Sequence, residues 1–498
     1  MFTALGLLLS PIYLWSLMRR PLISMPFVLI FVAVFQGGAV INLVAGSSYV
    51  GLSPYYFWAA AFCVLITLRI LVGRITPWPK ALTPFAMFLL IFSAFSILTA
   101  FFLPHLFAGI PIYAPRGGID SQVDVQQQLA YSFSNLGQAL YLCINTIIIL
   151  FIASNRWTWT NFESAIKALH ASAFIAISVS IYQLIAPLAG WPSPDTLFKS
   201  NLGASQLSVD ATFLGSTRLS STFSESSTFA SFLVAYIAYL VILSAGGQAS
   251  IKHHVMLILA VACALASTSS TAYVTLAIFF VIFFSNYWIR PLLTRFRFKR
   301  IGATELFLIM SLLAATAATV LALENFFDIL LEATTGKTES TSYMNRTASN
   351  WHALQILKET GGLGVGLGSN RPSSFAAWLL SNVGIPGVIA FMLAFYFLIS
   401  RTLRAAQRLP YLDRKRVLLT ALVWGFMTHV LAKIVSQPDL AMPTFWAWVI
   451  LIVIGLRASL ADRVIESQAH TKLSQRFQKR IVKPGVRESI AREKWHGT

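Results

Sequence analysis

An arginine and a glutamate seven residues apart, Arg218 and Glu225, stand in the run Ser216-Thr-Arg218-Leu-Ser-Ser-Thr-Phe-Ser-Glu225-Ser-Ser-Thr, where every other residue is a hydroxyl or apolar. A guanidinium grips phosphate oxygens with a two-pronged fork and stays charged at any working pH, and a carboxylate beside it can accept a proton. That pairing suits an anionic group held next to a hydroxyl that must lose its proton. The same residues also suit the start of a helix, where Ser224, Ser226 or Ser227 caps the chain and the positive N-terminal end favours an acid.

A second group lies in Asn345-Arg346-Thr-Ala-Ser-Asn350-Trp351-His352 and runs on to Lys358. Ala348, Trp351, Leu354 and Leu357 recur every three or four residues, which predicts an amphipathic helix docked through Trp351 and Leu354. Arg346 and Asn350 then lie one turn apart on one face, and His352 is a reserve base behind Glu225. Next come Gly362, Gly364, Gly366 and Gly368, every second residue. This run is neither the GxGxxG of dinucleotide folds nor a P-loop, which argues against a nucleotide enzyme. Alternating glycines let a backbone bend tightly and turn N–H groups toward phosphate, with Gly364 and Gly366 as candidates; close helix packing would use them equally well. Arg371 adds a further cation.

Two more polar features interrupt apolar sequence. Ser267-Thr268-Ser269-Ser270-Thr271 reads as the turn of a tight hairpin, its hydroxyls serving freed backbone groups. Lys433 follows His429 by one helical turn, and a lysine at the centre of a bilayer costs about 2.5 to 3.5 kcal/mol. It therefore lines a cavity or snorkels toward the nearby Ser436-Gln-Pro438-Asp439.

The elements that must position these residues are membrane helices. Of 498 residues 56% are hydrophobic and 11% charged, whereas a soluble domain is about 25% charged. About thirteen apolar runs approach the roughly 17 to 25 residues that cross a bilayer. They lie near 1–18, 22–44, 54–72, 84–103, 136–153, 165–187, 228–245, 254–267, 271–289, 304–322, 375–399, 417–436 and 443–457. The prediction is an all-α polytopic integral membrane protein with 12 to 13 transmembrane helices and large outer loops carrying short amphipathic helices. One helical domain spans 1–456, with long loops at about 104–135, 188–227 and 323–374, and a basic tail fills 457–498. Met1 to Met18 lacks a basic n-region and an A-x-A site, so it reads as a retained first segment. Cys63, Cys143 and Cys263 sit in apolar runs without metal-ligand or disulfide spacing, so no metal and no cofactor is expected. Soluble, secreted and fibrous classes are excluded.

The formal charge of +19 is a topology signal rather than a sign of nucleic acid, because cytoplasmic loops concentrate Lys and Arg. Every second loop is basic, from Arg19/Arg20 to Arg401 through Arg416 and the tail. The intervening loops hold 7 of the 37 basic residues but 11 of the 18 acidic ones. Thirteen spans with a cytoplasmic C-terminus place the N-terminus outside.

Arg218-x-x-Ser-x-Phe-x-Glu225, the Ser267 hairpin, and Arg346 through Trp351 to the glycine run and Gly384-x-x-Gly387 together resemble the family of bacterial O-antigen and exopolysaccharide polymerases and O-antigen ligases. The likeness in pattern covers roughly 210–400. In ligases of the family a His precedes the Gly-x-x-Gly by a fixed spacing, and that spacing lands here on Ser373. The resemblance is therefore to Wzy-type polymerases, where arginines of two large periplasmic loops hold lipid-linked substrate. It implies an inner-membrane enzyme that joins undecaprenyl-pyrophosphate-linked oligosaccharides without a metal, with Arg218, Arg346, Asn350, Arg371, Gly364, Gly366 and Lys433 as binding candidates and Glu225 and His352 as catalytic ones. Membrane lipids, a chain-length regulator and a flippase are the implied partners, and nucleic acid is not. A transporter or flippase of a lipid-linked glycan or anionic solute is the competing class, with a ligase behind it.

The charge pattern yields a direct test. A cysteine replacing Ser121 in the first long loop should react with a membrane-impermeant maleimide in spheroplasts, whereas Ser474→Cys in the tail should react only after permeabilisation. The reverse pattern would invert the topology.

Overall fold

The computed structural model describes residues 1–45, 48–73, 76–113, 126–202, 212–213, 216–286, 341–411, 413–436 and 439–481. Helices α1 (Ala4–Met18), α2 (Pro21–Val32), α3 (Pro54–Leu71), α4 (Thr83–Leu106), α5 (Phe133–Ser154), α6 (Trp159–Ala189), α7 (Asp195–Phe198), α8 (Ser226–Ala245), α9 (Ile251–Ala266) and α10 (Ser270–Phe284) come first. Then follow α11 (Thr341–Glu359), α12 (Phe375–Gln407), α13 (Arg414–Ser436) and α14 (Pro443–Ile481). Short antiparallel hairpins pair β1 (Ile41–Ala45) with β2 (Ser48–Leu52), β3 (Pro111–Tyr113) with β4 (Gln126–Gln128), and β5 (Thr212–Phe213) with β6 (Ser216–Thr217). Proline opens α2 and α3, where its missing N–H costs nothing. Thr3 and Ser53 cap α1 and α3 through Gly6 N–H and Tyr56 N–H.

Among the described residues eight helices are long and apolar enough to cross a membrane: α3, α4, α5, α6, α8, α12, α13 and the Pro443–Asp462 part of α14. The chain is an all-α polytopic membrane protein. The apolar run at 304–322 lies outside the described residues, and each of the other runs contains a helix. The run at 22–44 is not one span, however. Its helix stops at Val32, and Gly37-Gly38 carry the chain across to β1. Any Cβ on Gly37 would come within 2.9 Å of the Phe198 carbonyl oxygen, so only glycine lets the backbones approach there.

At the centre stand α8 and the membrane part of α14, each 89% buried over its most apolar window. A helix that is apolar on every side belongs in a core. α13 packs along α8, and Gly425 makes this possible, since a Cβ there would sit 2.7 Å from the Trp448 ring and 3.0 Å from the Ala235 carbonyl oxygen.

The two ends of the bundle differ. At one end the long connections knit together: Asn42 Nδ2 donates to Ser200 O at 2.8 Å, Gly37 N–H to Thr222 O at 3.0 Å, and Gln36 Nε2 to Thr444 Oγ1 at 3.2 Å. At the other end the turns are short and basic, tied by Lys415–Asp462 at 2.7 Å and by Arg457 Nε donating to Asn155 O at 2.7 Å.

What holds α11 in place is the glycine loop behind it. α12 breaks at Gly384, where φ is +63° and ψ −173°, just ahead of Pro386, and the break opens a slot in the helix backbone. Segment 361–370 fills this slot. Gly364, Gly366 and Gly368 all take positive φ, and a Cβ on Gly364 or Gly366 would meet the Ser381 or Thr99 carbonyl oxygen at 2.8 or 2.6 Å. Asn382, fully buried, closes the lock. Its Oδ1 accepts the N–H groups of Ser369 and Asn370, both at 3.0 Å, and its Nδ2 donates to Asn370 O at 2.8 Å and Trp378 O at 2.9 Å. From α5, Asn135 Nδ2 donates to Leu367 O at 2.9 Å and Ser369 Oγ at 2.8 Å.

Asn382→Ala should therefore destabilise the protein by roughly 3 kcal/mol, since each buried group left unpaired costs about 1 to 3. The loss would show as a lower thermal unfolding midpoint in detergent, and an unchanged midpoint would refute this account of the loop.

Candidate functional site

Arg218 and Glu225 flank a segment that is bolted down. Leu219 through Phe223 are buried. Ser221 takes a left-handed conformation, φ 53°, and is held there by its N–H donating to Gln183 Oε1 at 2.7 Å and its hydroxyl donating to Ala176 O on α6. Thr222 Oγ1 donates to Val34 O at 2.7 Å. The turn therefore cannot drift, and it delivers Arg218 to one end and Glu225 to the other. Glu225 is itself the N-cap residue of α8, yet its carboxylate takes no helix N–H; it accepts the Ser227 hydroxyl at 3.1 Å. Cap duty falls to no side chain, which leaves the carboxylate half-buried at the rim.

Arg218 is coupled electrostatically to Arg346, Glu225 and Tyr273. Burial first, and then the like charge of Arg346, push its guanidinium below the ordinary arginine range, while Glu225 and Tyr273 pull the other way. Its Nε is buried and has no hydrogen-bond partner among the described residues. Two guanidinium groups that repel one another while half-buried are costly by themselves, because desolvation and repulsion add, and the Glu225 carboxylate offsets only part of this. An anion of two charges placed between them would remove both penalties.

Tyr273, in the first turn of α10, is the site residue that sequence reasoning missed. It is a lone tyrosine just beyond the Ser/Thr hairpin, and its hydroxyl donates across that hairpin to Leu265 O at 2.8 Å. The hairpin also reaches α13, where Thr271 Oγ1 pairs with Ser436 Oγ.

The remaining candidates divide differently from expectation. Asn350 is committed to structure: its Oδ1 accepts the N–H groups of Ser373 and Ser374, at 3.0 and 2.9 Å, which fixes the turn leading into α12. His352 Nε2 lies 2.9 Å from Pro111 O with its ring edge-on to Tyr113 at 5.4 Å, and so fastens β3 to α11. Arg371 N–H donates to Tyr113 O at 2.8 Å, joining the glycine loop to the same strand. Gly364 and Gly366 do not present N–H groups to a ligand. Their N–H groups go to Thr360 Oγ1 and Asn382 O, both at 3.0 Å, and both residues are buried, so close packing is what these glycines serve. Lys433 does not open onto a cavity either. It is 0% exposed, donates to Asp439 O at 2.7 Å and lies 5.1 Å from the centre of the Phe375 ring.

The expected docking face of α11 is corrected as well. The helix packs through Ser349, Ala353, Ile356 and Thr360, whereas Trp351 and Leu354 are 64% and 43% exposed. Small side chains let α11 lie close to the glycine loop, and this rotation turns the larger apolar residues outward.

Compared with known proteins, this chain matches no family model and no curated protein.

Arg218→Gln should leave the thermal midpoint of the ligand-free protein unchanged or higher, because it removes a buried charge with an unpaired Nε. Inorganic pyrophosphate at 100 times its Kd should stabilise the wild type by about 2.7 kcal/mol and the variant by much less. A large loss of stability without ligand would make Arg218 a structural residue.

Proposed function

We propose that the chain is a Wzy-type polysaccharide polymerase of a bacterial inner membrane, joining undecaprenyl-pyrophosphate-linked oligosaccharide repeat units at its long-loop, periplasmic face. The observation that carries this reading is the convergence of Arg218, Arg346 and Glu225, drawn from two loops remote in sequence, at the end of the bundle where those loops are long. A pyrophosphate diester is the anion such a pair of forks fits.

The chemistry asked of the site is modest. The bond between the donor sugar's anomeric carbon and the pyrophosphate oxygen breaks, and undecaprenyl pyrophosphate leaves with the electron pair. The acceptor sugar's hydroxyl oxygen bonds to that carbon and its proton passes to the Glu225 carboxylate. Arg218 and Arg346 stabilise charge that grows on the leaving pyrophosphate, which makes them worth more in the transition state than in the ground state. Glu225 orients and deprotonates the acceptor. Neither role requires a group beyond this chain's own side chains.

One observation favours a second reading, translocation of the lipid-linked glycan. A polar seam descends from the site between α8, α13 and α14: Ser231 Oγ lies 3.1 Å from His429 Nδ1, and His429 Nε2 lies 3.5 Å from Thr444 Oγ1. These contacts are all buried and mutually satisfied, whereas the arginines gather at one mouth, and a carrier needs its charges near the midplane with access from both sides.

The test is polymer length in cells lacking this chain and complemented at matched membrane expression. Loss of polymer with single lipid-linked units accumulating on the periplasmic leaflet is the expected result. Arg218→Ala or Arg346→Ala should cut the polymerisation rate by about 10²-fold or more, and Glu225→Gln by about 10² to 10⁴. Accumulation on the cytoplasmic leaflet instead would establish the translocator.

A further inference from the structure

At the opposite, basic end of the bundle a cavity of about 650 Å³ lies between α3, α4 and α5. Its walls two turns into the helices are apolar, from Ile66, Leu90, Ile147 and Leu150, and its polar end is formed where the helices terminate, by Arg69, Thr76, Ser154 and Asn155. Arg69 Cζ stands 5.5 Å from the centre of the Phe151 ring.

A helix C-terminus ordinarily repels an anion with its free carbonyls. Here those carbonyls are already taken. Thr76 Oγ1 donates to Ser154 O at 2.9 Å, Trp78 Nε1 to Leu150 O at 3.1 Å, and Arg457 to Asn155 O at 2.7 Å and Ser154 O at 3.3 Å. Among the described residues no acidic one lines the cavity, and Arg156 and Lys80 lie exposed at the same end. The space is thus apolar inside, cationic at the surface, and open beside Leu90, which is 40% exposed.

We propose that this groove is a binding site for an anionic phospholipid of the leaflet at the basic face, with an acyl chain along Ile66, Leu90, Ile147 and Leu150 and the phosphate beside Arg69. Basic pockets between membrane helices recognise lipid headgroups in this way. The site is at the far end of the bundle from Arg218 and does not depend on the polymerase reading.

The full chain is reconstituted in vesicles carrying trace photoactivatable diazirine-acyl phosphatidylglycerol, or the matching phosphatidylcholine, and cross-links are mapped to peptides of α3, α4 and α5. Wild type should label about fivefold more with the anionic lipid, the factor that about 1 kcal/mol per basic side chain at a membrane surface gives. Arg69→Gln should bring the two lipids to parity, and Leu90→Trp should abolish labelling by both. Leu90 is on the surface, so an unchanged thermal midpoint separates filling of the groove from misfolding. Parity in the wild type, or labelling that survives Leu90→Trp, overturns the proposal.

Discussion

The backbone-to-side-chain lock between Asn382 and the loop at 369–370 is the constraint on which the rest of the long-loop face depends. A membrane helix cannot leave its own backbone groups unpaired, yet α12 is broken at Gly384. The break is tolerated because the glycine loop supplies the missing partners: Val365 N–H goes to Ser381 O at 2.8 Å, Gly366 N–H to Asn382 O at 3.0 Å, and Ile385 N–H returns to Gly362 O at 2.8 Å. Loop and helix complete one another. Neither arrangement has satisfied hydrogen bonds without the other, which fixes both to a single geometry.

From that lock the position of α11 follows. The loop leaves α11 at Thr360, whose hydroxyl receives Gly364 N–H at 3.0 Å, and Asn350 grips the start of α12 one step further on. Held at its middle by Asn350 and at its C-terminal end by Thr360, α11 brings Arg346 within electrostatic reach of Arg218. The second arginine arrives by an independent route, through Ser221 and Thr222 bolted to α6 and to the end of α2. The two supports thus hold like charges within electrostatic reach of each other. Such an arrangement stores electrostatic cost in the empty site, and release of that cost on binding an anion is a source of affinity that does not require the protein to move.

The two ends of the bundle divide the polar chemistry between them. Long connections with hairpins and short helices form a platform at one end, while the other has tight turns carrying most of the basic residues. Between them the intramembrane polar groups are largely paired internally, as with Tyr55 OH donating to Asn145 Oδ1 at 2.7 Å and Ser93 with Thr146 at 2.7 Å. Lys433 belongs to this class: it ties α13 to Asp439 in the α13–α14 connection and lies over Phe375 at the start of α12.

Composition and apolar run length were enough to establish a helical membrane protein and most of its helices, because the cost of exposing polar backbone to lipid leaves few alternatives. That Arg218 and Glu225 lie within electrostatic reach of each other was also legible, since both lie within one short segment. Legibility ended where partners are distant in sequence. Nothing local distinguishes a glycine that cradles phosphate from one that fits a helix break, and the choice for Gly364 and Gly366 was made by Asn382 and Thr99 on other helices. The docking face of α11 was misread for a related reason: in a membrane protein Trp351 and Leu354 gain nothing by turning inward when small Ser349 and Ala353 allow closer packing. Tyr273 had no signal at all until α10 was placed beside Arg218. Sequence alone determined which residues could carry charge and which must cross the membrane, both being properties of single segments. Which charges meet, and which polar groups are already spent on holding the fold, was decided only by tertiary structure, because a hydrogen-bond partner is a matter of position in space.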